Sequence, residues 1–133
     1  TGDRSIGLSG VVPLIQVGSL QDTLTYYEEV LGFRVDYVWP SEGEPKWAGV
    51  SRSHVAFILT IDLGTSSGQF IAEKGNGVVF YIVAEDIEGI RDELAERGAI
   101  MVQEMADYGG RRQFSVADLN GYVITFTEPF ASR

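Results

Sequence analysis

One order of elements occurs twice along the chain, and that repetition limits the folds open to it more than any other feature. In the first pass, Val11–Val17 predicts a strand with Pro13 near its start. Ser19 follows as an N-cap with Asp22 three residues on, and Leu20, Leu24, Tyr27 and Leu31 form one apolar helical stripe that stops at Gly32. Phe33–Trp39 alternates as a strand, Pro40–Pro45 is a turn-rich loop, and Trp47–Arg52 and His54–Ile61 are two further strands. In the second pass, Gly77–Ala84 is the strand, Asp86 the N-cap, Ile87, Ile90 and Leu94 the stripe, and Gly98 the stop. Ile100–Met105 is the next strand, Ala106–Arg111 a glycine-bearing loop, and Gln113–Ala117 and Tyr122–Thr127 a hairpin closed by Asp118-Leu119-Asn120-Gly121. Matched positions lie 67 apart: Leu20 with Ile87, Tyr27 with Leu94, and His54-Val55 with Gly121-Tyr122.

This reads as a duplicated βαβββ unit of about 55 residues, with an unrelated α+β sandwich of similar element order as the alternative. The expected layout is a single domain over 1–133, with a first module at 11–61, a linker at 62–76 and a second module at 77–129. At 133 residues, 44% of them hydrophobic, the chain has enough apolar material for a compact core. It contains no cysteine, which removes disulfides, thiolate metal sites and cysteine nucleophiles together. Its apolar runs fall far short of a membrane span, so the expectation is a soluble, cytoplasmic protein without a membrane partner. A net charge of −9 repels phosphate backbones, which argues against nucleic acid and favours cationic ligands, with an acidic surface that merely keeps the protein in solution as the alternative.

The string F-x-x-x-D-x-x-G-Y-x-I-x-F, Phe114 to Phe126, resembles the last hairpin of the glyoxalase/bleomycin-resistance/extradiol-dioxygenase superfamily, the vicinal oxygen chelate fold. The resemblance implies an α+β fold of tandem βαβββ modules, whose curved mixed sheets form a cup with helices outside. Metal-dependent members hold a cation with four inward side chains, usually His and Glu. Matched to this sequence, those positions fall on Val12, Ile58, Val79 and Thr125. None offers an imidazole or a carboxylate, and a lone threonine hydroxyl is too weak a ligand. His54 is the only histidine, so a two-histidine, one-carboxylate site cannot be assembled elsewhere in one chain. No metal and no other cofactor is expected.

Period-two alternation adds Leu14, Gln16, Ala56, Thr60, Tyr81, Val83, Val123 and Thr127 to the same wall. A wall of this composition suits binding by shape and stacking better than proton transfer. The alternative for Val12, Ile58 and Val79 is plain packing between the modules.

Within the superfamily, Trp47-Ala48-Gly49-Val50 with Arg52, Val55 and Thr60 is similar to the strand pair of the metal-free bleomycin-resistance branch. That likeness puts Trp47 in the place of a ligand-stacking phenylalanine, Thr60 in that of a serine and Tyr81 in that of a stacking tryptophan. The branch's W-G-R-x-x-F loop corresponds to Gly110-Arg111-Arg112-Gln113-Phe114, so Gly110 stands where a stacking tryptophan would, with Tyr108 as the nearby substitute. The implied ligand-binding set is Trp47, Ile58, Thr60, Tyr81, Tyr108, Arg112 and Thr125, with no catalytic residue. The implied function is sequestration of a flat, cationic antibiotic or metabolite by a homodimer, without chemical change. Two alternatives remain within the same fold: a metal-dependent glyoxalase-, dioxygenase- or thiol-transferase-type enzyme, and a non-catalytic regulatory domain.

Overall fold

The computed structural model describes residues 6–61 and 78–129; the expected linker at 62–76 lies outside the described residues. The first module runs β1 (Leu14–Val17), α1 (Leu20–Thr25), β2 (Arg34–Trp39), β3 (Trp47–Arg52) and β4 (Val55–Ile61). Helix α1 widens at its C-terminal end into a π-helical turn over Tyr26–Val30. The second module runs β5 (Val79–Val83), α2 (Ile87–Glu96), β6 (Ile100–Tyr108), β7 (Arg111–Ala117) and β8 (Val123–Thr127). Each module makes its own four-stranded mixed sheet, in the orders β1-β4-β3-β2 and β5-β8-β7-β6. In both, the first strand lies parallel to the last and the other pairs are antiparallel.

The duplication holds at the level of atoms. Leu14 pairs with Ile58, and Tyr81 with Thr125, each residue 67 beyond its counterpart. The helix caps match as well: Ser19 Oγ accepts from the Asp22 amide at 3.2 Å, and Asp86 Oδ1 from the Gly89 amide at 2.9 Å. Across β7 the offset falls to 66, since Ser51 faces Ala56 whereas Ala117 faces Val123. The second hairpin turn is one residue longer.

One expectation is corrected. The segment Ala106–Arg111 is not a loop, because β6 continues to Tyr108 and β7 begins at Arg111. Gly109 and Gly110 have φ of 66° and 90°, the left-handed pair that a two-residue hairpin turn needs, so the glycines close a tight turn where a loop was expected.

Both modules feed one core. The stripe Leu20, Leu24, Tyr27 and Leu31 is buried, as are Val50, Phe57 and Leu59 from the first sheet and Phe114, Val116 and Ile124 from the second. Tyr27 meets Phe33 and Phe57 edge-on, with ring centroids 5.6 and 6.0 Å apart, and Phe57 meets Phe80 of the second module at 5.2 Å.

The turn after β7 is the polar joint between modules. The Tyr122 hydroxyl donates to Gln16 O at 2.9 Å and accepts from Gln16 N at 3.1 Å, so one side chain satisfies the main chain on the free edge of β1. Asp118 is 3% exposed. Its carboxylate accepts from the Tyr27 hydroxyl at 2.9 Å and from the amides of Asn120 and Tyr122 at 2.8 and 3.0 Å. Asn120 in turn accepts from the Gly18 amide at 2.8 Å and donates to Thr23 Oγ1 at 3.1 Å. The D-x-N-G-Y core of the hairpin string is thus a structural clamp.

Burial pushes the Asp118 carboxyl above the usual aspartate range, against the hydrogen bonds that favour its charged form. Its contribution to stability is therefore full below the ordinary aspartate value and is lost as pH rises through the raised native value. Asp118→Asn should flatten that part of the stability-versus-pH curve; an unchanged curve would contradict the assignment. Asp118→Ala, which strips partners from a buried hydroxyl and two amides, should lower the urea-unfolding free energy by about 3 kcal/mol.

Candidate functional site

The sheet faces turned away from the core are where a ligand can be met. In the first sheet Ile15, Val17, Ala48, Val50, Phe57 and Leu59 point into the core, so by alternation Leu14, Gln16, Trp47, Gly49, Ile58 and Thr60 share the other face. In the second sheet Phe80, Phe114, Val116, Ile124 and Phe126 belong to the core, leaving Val79, Tyr81, Val123, Thr125 and Thr127 on the opposite face.

The first face carries an aromatic wall larger than the sequence reading found. Trp39 stacks on Trp47 with ring centroids 4.3 Å apart and planes 12° from parallel. Tyr37 lies over Gly49, where an added Cβ would collide with its ring. Tyr37 and Trp39 were missed because strict alternation from Val35, a residue packed on the core, sends both of them inward. A bulge between Val35 and Tyr37 inserts Asp36 and flips the rest of β2, so that Val38 packs inward while Tyr37 and Trp39 turn out. The signal present in the sequence is the spacing of three between Val35 and Val38, which no regular strand allows on one face.

The positions expected to form the binding set divide between the sheets. Trp47, Ile58 and Thr60 share the first face, and Tyr81 and Thr125 lie on the second. Tyr108 pairs across from Arg111, in step with Gln113 and Ser115 on that second face, and its hydroxyl accepts from Gln103 Nε2 at 2.8 Å. Two hydroxyls are already occupied: Thr60 Oγ1 donates to Ile61 O at 3.1 Å, and the buried Thr125 is hydrogen-bonded to Ser115 Oγ at 2.7 Å. Arg112 does not join the set. It points to the helix side, donating to Glu88 of α2 and, at 2.9 Å, to Glu128. Those carboxylates hold its guanidinium firmly charged, and Arg112 pulls Glu128 below the usual carboxylate range. Its role is to tie α2 to the end of β8.

Both faces stand open in the single chain. Leu14 is 62% and Tyr81 63% exposed, and no hydrogen bond, ion pair or ring contact among the described residues links one face to the other. Val12 and Val79, at 54% and 49% exposed, lie outside the core cluster, which sets aside the packing alternative for them.

The metal positions of the fold fail on donor chemistry. Val12, Ile58 and Val79 have no donor atom, Thr125 spends its hydroxyl on Ser115, and the described residues contain no cluster of three His, Asp or Glu placed to hold a cation. Dialysed protein should show no gain in melting temperature on adding nickel, manganese, iron or zinc; a stoichiometric metal lost on mutating a single ligand would contradict this. Gly49→Ala should swing the exposed Tyr37 ring off the wall at a cost of about 1 kcal/mol or less, read as a near-UV circular dichroism change with the fold kept.

The sequence matches the family model described as Glyoxalase/Bleomycin resistance protein/Dioxygenase superfamily over residues 10–126. No curated protein sequence matches the chain. Among solved structures, the bleomycin-binding protein from bleomycin-producing Streptomyces verticillus, complexed with copper(II)-bleomycin, superposes with a TM-score of 0.71 at 19% identity, covering 94% of this chain and 99% of that one. TnmS3, an antibiotic binding protein from Streptomyces sp. CB03234, gives 0.66 at 21% identity over 94% and 99% of the two chains. TioX from Micromonospora sp. ML1 gives 0.70 at 19% identity over the same shares, 94% and 99%. At such identities the superpositions show a common fold, and with a family match over most of its length the chain belongs to the glyoxalase/bleomycin resistance protein/dioxygenase superfamily.

Proposed function

We propose that this protein binds a flat, cationic aromatic molecule, an antibiotic or a metabolite, on its open sheet faces and holds it without chemical change. The observation that carries the reading is the stacked Trp39–Trp47 pair, the chain's only tryptophans, standing partly exposed on the face where the fold's metal positions are apolar. Indole faces gain about 0.5–1.5 kcal/mol per aromatic partner beyond the area they bury, and they attract cations through the same π-system. The net charge of −9 draws such a ligand in. The likeness to the bleomycin-binding protein of Streptomyces verticillus and to the antibiotic binding protein TnmS3 supports the ligand class.

In this reading two copies associate, as a cytoplasmic homodimer, and the ligand lies in the groove between them. What supports association is the amount of apolar surface the single chain leaves bare: Leu14, Trp39, Val79, Tyr81 and Val83 are each about half exposed or more. Tyr81, Tyr108 and Trp47 then supply the stacking, with Ile58 and Thr125 as the floor.

Because both tryptophans sit on one face, their fluorescence reports on that face alone. Titration with a bleomycin-class drug should quench it saturably, and Trp47→Ala should weaken binding about tenfold. Absence of any fluorescence change would remove this ligand class, and recovery of a chemically altered drug would replace binding with catalysis.

A further inference from the structure

The duplication makes two junctions between the modules, and only one of them is filled. At the first, Tyr122 closes onto the free edge of β1 and its hydroxyl bridges Gln16 N and O. Sixty-seven residues away in each direction, the counterpart of Gln16 is Val83 on β5, and the counterpart of Tyr122 is Val55 at the start of β4. Valine stops short of where the phenol would reach. Here the structure has a cleft of about 830 Å³, within the size range of small-molecule sites. Its lining includes Val55 and Val83, together with Phe33, Ile82, Ile90 and Phe126.

The edge of β5 in this cleft has the same unmet need as the edge of β1. The Ala84 amide donates to Thr127 O at 2.9 Å, so alternate residues of β5 face β8 and Val83 turns its own N–H and C=O to the free side. No described residue supplies for Val83 the bridging hydroxyl that Gln16 receives. The charged groups at the cleft also set a preference. Arg52 is held by Glu93 in a bidentate pair at 2.8 and 3.0 Å and donates further to Leu31 O, so its charge is spent. Asp86 caps α2 through Gly89, His54 lies at the mouth, and Glu85 has neither a hydrogen bond nor an ion pair. The uncommitted charge is therefore negative.

We propose that this cleft is a binding site, separate from the concave faces, for a small phenolic amine. The phenol ring would fill the space above Phe33, Ile82 and Phe126, its hydroxyl would bridge the main chain of Val83 as Tyr122 bridges Gln16, and its amine would face Glu85. The proposal does not rest on the function assigned to the Trp39–Trp47 face, because apart from Val83, whose main chain it uses, it draws on other residues, at the joint between the modules.

Tyramine is the probe. Added to the isotopically labelled full chain, it should shift the amide resonances of Val83, Glu85 and Ile90 saturably and leave those of Trp39, Trp47 and Gly49 in place. Phenethylamine, lacking the hydroxyl, should bind about tenfold more weakly, and 4-hydroxyphenylacetate, lacking the cation, should also bind more weakly. Val55→Tyr, which restores the missing phenol in place, should raise the melting temperature and abolish the shifts. Should that variant not fold, Ile90→Phe narrows the same cleft from α2 and should give the same loss. No shift up to the solubility of tyramine, shifts confined to the Trp39–Trp47 face, or binding kept in the filled variant would each overturn the proposal. A negative result with tyramine leaves the drug-fluorescence experiment on the concave face standing, so the two readings fail separately.

Discussion

The arrangement of the whole molecule depends on one tyrosine hydroxyl and one buried carboxylate. Tyr122 closes the free edge of β1, and Asp118 holds Tyr27 of the first module from a turn of the second. An edge strand left open exposes a row of unpaired main-chain groups. Closing it with a side chain from the other module satisfies those groups and fixes where the second module sits. The cost is a carboxyl group with 3% exposure, offset in part by three hydrogen bonds. With the modules locked through their backs, the faces carrying Leu14 and Tyr81 stay bare.

The fold was legible because it is written twice. Helix caps three residues ahead of their partners and apolar stripes stopped by glycines are local signals, they recur 67 residues on, and the geometry obeys them everywhere but β7, where the offset is 66. The site was legible only in part, and the gaps have physical causes. Alternation works until a bulge resets it, so Tyr37 and Trp39 disappeared behind Asp36. Arg112 failed for the opposite reason: its resemblance to a loop residue of relatives placed it in the binding set, while its own strand parity turns it toward Glu88 and Glu128. The Gly109-Gly110 pair read as part of a loop and is a tight turn, since positive φ at two successive residues closes a hairpin.

The same duplication explains why the two halves need not share a role. Each sheet offers an outward face, but only the first has a tryptophan pair; Trp47 corresponds to Gln113 once the longer turn before β8 is allowed for. Duplication supplies two equivalent scaffolds, and single side chains then specialise them: Tyr122 against Val55 at the joints, Trp47 against Gln113 on the faces. Where relatives place cation ligands, this chain has Val12, Ile58, Val79 and a hydrogen-bonded Thr125. Surfaces of that kind bind by area and stacking, with little to polarise a bond.

The most direct measurement is a crystal structure of the full chain grown with an excess of bleomycin. The proposed function predicts intact drug with its aromatic rings stacked against Trp47 and no ion held by Val12, Ile58, Val79 or Thr125. Drug bound only elsewhere, a face buried with no room for a ligand, or a cation ligated at those four positions would contradict it.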